Sequence, residues 1–496
     1  MGIIIRQSIK GTIVNYIGSF IGFVINIFVL TKLFLPEDIG FVEIVYDSAV
    51  FITGFALLGV TGTAFRFFPY FQSEKNNHNG FFFYLLLLPT IGCLIFLPLY
   101  VILKEPITAF FITKSSLYID YFYWIIFLII FVVFWNVFET YSNLLLRIVI
   151  PKFIREIVLR VILLSVYLLF AFKLLSHDGL VGGIIVAYGI VMLLMFTYIS
   201  RISSVSLKHD YSFIGKPLRK QIRNYTLFLV FSALSGGIIG MLDTFMISSQ
   251  LGLDFAGIFK IAFFMAAVVD IPSRSISAIS SPIAAKALKE NDLEAANQLY
   301  KKVSLHQFIA GSLIFLFIWI NIDNIFLIIP NGDTYVAGKW VVFFLAMARL
   351  FYVTLNFGAV LISYSKYYYW TLFFMLFITI TGIITNLLLI PRLEIIGAAI
   401  ATFITFILLS AVQQWIVLAK IKGNPFSLNL LKSAILLIVL FGINFVLPQW
   451  TANPYIDLIY RTLIIGTITL FSLYKLKISE EITSIMDMIL NKIFRF

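Results

Sequence analysis

The sequence is short of charge, of cysteine and of histidine, and each shortage excludes something. Of 496 residues only 12% are charged while 61% are hydrophobic, with a mean hydropathy of +1.01. A chain so poor in charge cannot cover a water-facing surface, so a soluble globular protein is excluded. One cysteine, Cys93, rules out an intrachain disulfide and is expected to fill apolar space. Four histidines, His78, His177, His209 and His306, lie at or near different loops without ligand spacing, which argues against a metal site. Ten-residue alternating segments are absent, and with them a membrane barrel. No long polar stretch interrupts the chain either, so there is no room for a soluble catalytic domain: the largest connection is 200–224.

What the chain does have is fourteen apolar stretches, each near the 20 residues that about 30 Å of hydrocarbon requires. They are expected at 12–31, 42–65, 81–103, 118–143, 157–175, 179–199, 225–248, 255–280, 304–329, 336–362, 368–390, 396–419, 430–448 and 456–474. The fold class is therefore all-α, polytopic. Lys and Arg total 36, and 26 of them fall before the first span or in every second connection, Arg155 and Arg160 included. With span ends taken as good to a few residues, seven fall in or beside the other connections, among them Arg461, and three, Lys260, Arg274 and Arg349, well inside spans. Loops rich in Lys and Arg stay cytoplasmic, so both termini are expected inside a cytoplasmic (inner) membrane. The net charge of +12 is then a matter of topology and gives no support to nucleic-acid binding. The first span is too long for a signal-peptide core and has no small-residue cleavage site after it, so it is expected to be retained.

The chain repeats itself. A shift of 217 residues places Leu33, Glu37, Gly40 and Ile44 on Gln250, Asp254, Gly257 and Ile261, and a shift of 215 places Gly182-Gly183 on Gly397-Ala398. The reading is a duplication of six spans: a lobe over 1–205, a second over 206–422, and two further helices with a tail over 423–496. Six is even, so the halves share one orientation, and in transporters of parallel repeats the path lies between the halves.

Ionisable groups inside the bilayer cost several kcal/mol unless paired or hydrated, so each asks for a role. On a wheel of about 100° per residue, Lys260, Asp270 and Arg274 share a stripe with Ala256, Ala267, Ala278 and Ser281. Glu43, Asp47, Gly54 and Thr61 share another on the second span. The duplication aligns Glu43 with Lys260, so equivalent helices carry opposite charge and are expected to face each other across a hydrated cavity. The plainer readings are that Asp270 and Arg274 neutralise each other at i, i+4, and that Glu43 and Lys260, one turn from the outer surface, snorkel. Arg349 lies mid-span. Glu139 is expected to pair with Arg147 or Arg66. Pro272 is expected to kink the eighth span beside the charged stripe. Asp243 is a candidate proton or sodium site, or else bonds a neighbouring Ser or Thr. Gly18, Gly22, Gly236, Gly237 and Gly240 suit close helix packing.

The runs Leu35-Pro36-Glu37-Asp38-Ile39-Gly40, Leu253-Asp254-Phe255-Ala256-Gly257 and Asn386-Leu387-Leu388-Leu389-Ile390-Pro391 leading into Gly397-Ala398-Ala399-Ile400-Ala401-Thr402 resemble the multidrug/oligosaccharidyl-lipid/polysaccharide exporter superfamily. Within it, the span count resembles the bacterial O-antigen and capsule repeat-unit flippases. The resemblance implies a cavity lined by helices 1, 2, 7 and 8 and alternating access by rocking of two lobes. It implies that Arg274 and Lys260 meet pyrophosphate, and that Asp243, Asn386 and Thr402 form a cation site.

The expected function is that of a flippase carrying an undecaprenyl-pyrophosphate-linked oligosaccharide repeat unit across the membrane for surface polysaccharide synthesis. Its substrate-path residues are Arg274, Lys260, Arg349, Glu43, Asp47 and Asp270. No catalysis and no cofactor are expected beyond Na+ or H+ coupling; the partners are the lipid-linked oligosaccharide, the bilayer and other polysaccharide-assembly membrane proteins. The rivals are a cation-coupled drug exporter of the same superfamily, a membrane-embedded polymerase or glycosyltransferase, and a scaffold for glycan assembly.

Overall fold

A lipid-exposed backbone must satisfy its own hydrogen bonds, and in a computed structural model of the chain it does so with helices. The structure describes residues 3–73, 77–203, 215–236, 239–447 and 451–493. His209 and Gly237 lie outside them. No strand occurs among the described residues, and each of the fourteen expected spans falls mostly on helix where it is described, with turns inside several of them, as at 57–59; the seventh is described on either side of 237–238. Among the described residues ten helical stretches are, taken whole, long and apolar enough to cross a membrane. One of them, Trp370–Ile421, holds two expected spans, parted at Glu394 where φ reaches 51°.

The chain divides into two compact units, 1–260 and 261–496. In the first, Trp124–Leu144 and Pro36–Ala56 are central, 67% and 61% buried over their most apolar stretch, while Ile13–Leu33 is peripheral at 22%. The second expected span is two helices, Pro36–Ala56 and Val60–Phe71. Between them Gly59 has φ +67°, and a side chain there would meet Leu229 at 2.5 Å, so the break needs glycine on both counts. The first span widens to a π turn at Ile25–Leu30.

In the second unit Leu293–Ile320 is the central helix. At Pro272, where a kink is expected, the structure shows a local change of winding. Lacking an N–H, the proline cannot serve the Val268 carbonyl; the chain tightens to a 3₁₀ turn at Val268–Asp270, the Ile271 N–H serves that carbonyl, and the helix resumes as Ile271–Lys289. The last two spans are tied in by polar contacts. Buried Asp457 accepts from Arg461 Nε at 2.6 Å and from Asn324 Nδ2 at 2.7 Å, and Arg461 reaches Asn444 at 3.2 Å. Arg461 is thus a helix residue with a buried partner and not a loop cation, because Asp457, one turn earlier, lies inside the same helix Pro454–Lys475.

A helix that the hydropathy pattern did not announce, Glu480–Ile493, follows the last span. Its start is held to Leu293–Ile320 by an ion pair from Lys302 to Glu481 and by His306 Nε2, 3.3 Å from the same carboxylate. The Lys302 ammonium holds the Glu481 carboxyl down to about 2. Since the folded group titrates below its ordinary value of 4.5, its contribution is full above that value and fades as the pH falls toward 2. Replacing Glu481 with Gln should release this helix at neutral pH. Limited proteolysis beyond Lys477 should quicken, while the melting temperature of the membrane-embedded part stays unchanged.

Candidate functional site

The turn before Pro36–Ala56 is made by its own sequence. Pro36 supplies a helix-ready φ at the first helical position, Glu37 and Asp38 place negative charge in the first turn, and Asp38 Oδ2 accepts the Leu35 N–H at 3.4 Å. One turn on comes Gly40. A side-chain carbon on Gly40 would lie 1.9 Å from the Leu253 carbonyl oxygen, and one on Gly257 would lie 1.9 Å from the Pro36 carbonyl oxygen. The helices Pro36–Ala56 and Leu253–Ala267 therefore cross backbone against backbone, and no residue but glycine fits at either position. Gly40 and Gly257, and likewise Pro36 and Leu253, are partners under the 217-residue shift. The duplicated turn meets its own copy.

One turn further along the same pair of helices lies the first charged cluster. Lys260, 4% exposed, donates through Nζ to Asp47 Oδ2 at 2.7 Å and lies 3.2 Å from Glu43 Oε2. The expectation that these helices carry facing, opposite charges is realised as direct contact, not across a hydrated gap. Nor does Lys260 snorkel. The glycine crossing brings the backbones too close for water to remain between the charges. Elsewhere in the first unit Ser48 Oγ and Tyr118 OH are 3.0 Å apart, and Ser115 Oγ donates to the Ser248 carbonyl at 2.6 Å.

The second cluster is in the second unit. Asp270 is paired with Arg349 Nη1 on Lys339–Leu355, and the Arg349 guanidinium stands 4.5 Å from the Phe263 ring centre. The i, i+4 neutralisation of Asp270 by Arg274 is not formed. The 3₁₀ turn that ends at Asp270 rotates its carboxylate away from the next helical turn. Arg274 is left exposed, with no ion pair or hydrogen bond among the described residues. Of the three cations expected inside spans, Lys260 and Arg349 have acids and Arg274 has none among the described residues.

The candidate cation residues are placed as follows. Asp243 is half-buried on Ile239–Gln250 in the first unit. In the second, Asn386 is 1% exposed and donates to the Gly382 carbonyl at 3.0 Å, and Thr402 is half-buried. Beside Asn386, Thr385 and Thr405 bring their hydroxyls within 3.1 Å of each other. Among the described residues no group of three His, Cys, Asp or Glu side chains comes together as a metal cluster.

Sequence reasoning missed one network. Arg155 and Arg160, counted as loop cations, lie on helical backbone at and after a π turn, Ile154–Val158. Arg155 bridges Glu139 at 3.1 Å and Glu156 at 2.9 Å, and Arg160 reaches Glu156 at 3.0 Å. Glu139 thus takes Arg155, and neither Arg147 nor Arg66, as its partner. Gly18 and Gly22 of the first helix make the room: a side chain at Gly18 would strike Glu156, and one at Gly22 would strike Arg160. The i, i+4 spacing of those glycines was the available signal.

The two clusters separate stability from exposure. Replacing Arg349 with Met strands the Asp270 carboxylate and should cost about 2–3 kcal/mol, seen as a lowered melting temperature in detergent. Replacing Arg274 with Met should leave the melting temperature within about 1 °C of the starting protein.

Comparison with known proteins bears on the whole arrangement. No protein-family model and no curated sequence matches the chain. Solved structures do. The lipid II flippase MurJ in an inward closed conformation superposes with a TM-score of 0.72 at 14% identity, covering 95% of this chain and 100% of its own. An inward-facing multidrug resistance MATE family transporter of the MOP superfamily gives 0.59 at 14% identity, over 85% of this chain and 98% of its own. A Vibrio cholerae MATE transporter gives 0.52 at 12%, over 84% of this chain and 96% of its own. These neighbours are transporters and a flippase, not enzymes. The chain therefore shares its fold with these solved flippase and transporter structures.

Proposed function

We propose that the protein is a flippase of the cytoplasmic membrane that moves an undecaprenyl-pyrophosphate-linked oligosaccharide from the inner to the outer leaflet. The observation that carries this reading is Arg274. It is a fixed positive charge within a span, exposed and without an acid partner among the described residues, whereas Lys260 and Arg349 are both paired with acids. A diphosphate entering hydrocarbon must exchange its water for other positive or donor groups, and a guanidinium offers paired N–H donors to phosphate oxygens. An exporter of cationic drugs has no use for an uncompensated arginine on its path. The likeness to the lipid II flippase, which extends over 95% of the chain against 85% for the MATE transporter, supports the same side.

In this reading the lobes are those of the duplication, 1–205 and 206–422, and rocking between them changes which side is open, with both termini cytoplasmic. Arg274 holds the diphosphate while the polyprenyl tail stays in lipid. Arg349 and Asp270, a neutral pair one helical turn away from Arg274, fix the orientation of the helices that present it. Asp243, Asn386 and Thr402 serve cation coupling: an ion that binds one lobe arrangement better than the other shifts the equilibrium between them. No bond is made or broken.

Deletion of the gene in its host should cause the complete lipid-linked repeat unit to accumulate in the membrane and surface glycan to disappear. The wild-type gene should restore both, and Arg274→Ala should not, at equal protein level. Transport that survives Arg274→Ala would remove the residue from the path. Unchanged glycan with increased drug sensitivity would move the protein to the drug-export branch.

A further inference from the structure

The Lys260 cluster has a geometry that binding of substrate does not explain. Its ammonium is 4% exposed and already holds two carboxylates, so it offers nothing to a phosphate in this conformation. It lies about fourteen residues, roughly 20 Å of helix, from Arg274. The charge bias of the loops assigns to the outside the turns Leu35–Gly40 and Leu253–Gly257, one turn away from it. We propose that Glu43, Asp47 and Lys260 are the outer latch of the transporter, closing the outer end where Pro36–Ala56 crosses Leu253–Ala267 and parting when that end opens. The proposal rests on the alternating-access reading of the fold and adds to it the residues that seal one side.

Three features support a latch over permanent packing. The crossing itself is backbone on backbone, at Gly40 and Gly257, so the charged bridge is the directional side-chain contact next to it. A buried ion pair is worth little net stability, because what its charges gain from each other they lose from water. Such a contact is specific in register yet parts readily once water arrives, as a contact one turn from the surface requires. Finally, the two carboxylates are one helical turn apart on the same face, Glu43 toward the outside. As the helices slide, the ammonium can pass from Asp47 to Glu43 and then to water, and is never stranded in hydrocarbon.

The duplication supplies an unusual control. Positions 43 and 260 are equivalent under the 217-residue shift, so exchanging their charges should rebuild the bridge. In the exchanged chain the new lysine at position 43 stands one turn from Asp47 and opposite the new acid.

The experiment reads outer closure directly. In a Cys93→Ala background, Gly54→Cys places a reporter on the Glu43–Asp47 stripe, about two turns further in, where a side chain meets nothing within 4 Å. Intact cells are treated from outside with a membrane-impermeant thiol reagent, and the rate is normalised to labelling after solubilisation. With the latch intact, labelling should be slow. Lys260→Met or Glu43→Lys should speed it about fivefold or more, as the closed population falls. The double variant Glu43→Lys, Lys260→Glu should return it to within about twofold of the starting rate. The latch is overturned if the single variants change the rate by less than about twofold, if the exchanged chain labels as fast as Glu43→Lys alone, or if outside reagent never reaches the reporter in any variant. Should Lys260→Met fail to fold, the comparison of Glu43→Lys with the exchanged chain decides. No transport is measured, so a wrong assignment of substrate leaves this test standing, and a failed latch leaves the role of Arg274 standing.

Discussion

A charge inside hydrocarbon must be answered by another charge, by hydrogen bonds or by water, and the placement of the answers organises this molecule. Lys260 is answered by Asp47 and Glu43, Arg349 by Asp270, Arg461 by Asp457, and Arg155 with Arg160 by Glu139 and Glu156. The bridges of Lys260, Arg349 and Arg155 with Glu139 join helices that are far apart in sequence, while Arg461 with Asp457 and Arg160 with Glu156 lie one turn apart along the chain. Apolar packing alone distinguishes poorly between one sliding register of two membrane helices and the next, since lipid is as apolar as leucine. These bridges supply the register. Arg274 has no such answer among the described residues, which is the observation the proposed function builds on.

The bridges work because small residues let the backbones close in. At Gly40 and Gly257 the approach is tight enough to exclude any side chain, and the Lys260 contact follows from it one turn later. The geometry is symmetric under the internal repeat while the chemistry is not: the same position is an acid in one copy and a base in the other. A duplicated helix meeting its copy would set like against like at every equivalent position, and two acids or two lysines there would repel. Divergence to opposite charge at 43 and 260 turns that repulsion into a bond without moving either backbone.

Much of this was legible in the sequence, and the part that was not has physical reasons. Span number and helical class follow from hydropathy, since apolar runs of this length have few other fates. The repeat was visible in Gly40 and Gly257, and the contact of Glu43 with Lys260 could be foreseen as facing charges. What sequence could not give was partner choice. Asp270 is near Arg274 in the chain yet pairs with Arg349, because Pro272 and the 3₁₀ turn re-aim the carboxylate. Glu139 has Arg147 close in sequence and takes Arg155. Loop boundaries hid Arg155, Arg160 and Arg461, since a wheel or a hydropathy window assigns a charged residue near a span end to the loop, whereas a partner one turn away lets the helix continue through it.

The order of charged groups along the eighth span fits the proposed function and its latch. On the orientation proposed there, Arg274 lies innermost, exposed and without an acid partner among the described residues; Asp270, paired with Arg349, comes next; Lys260, held by Glu43 and Asp47, lies outermost. In that reading an anionic headgroup meets an exposed guanidinium at the inner position and, at the closed outer end, an ammonium already occupied by its carboxyl partners. A diphosphate held at Arg274 would then find no cation to move to until the close crossing of Pro36–Ala56 with Leu253–Ala267 opens. Lysine suits position 260 better than arginine on the same grounds: a compact ammonium fits between two carboxylates in a space that admits almost no solvent, and it is hydrated strongly enough to let go of them when water arrives.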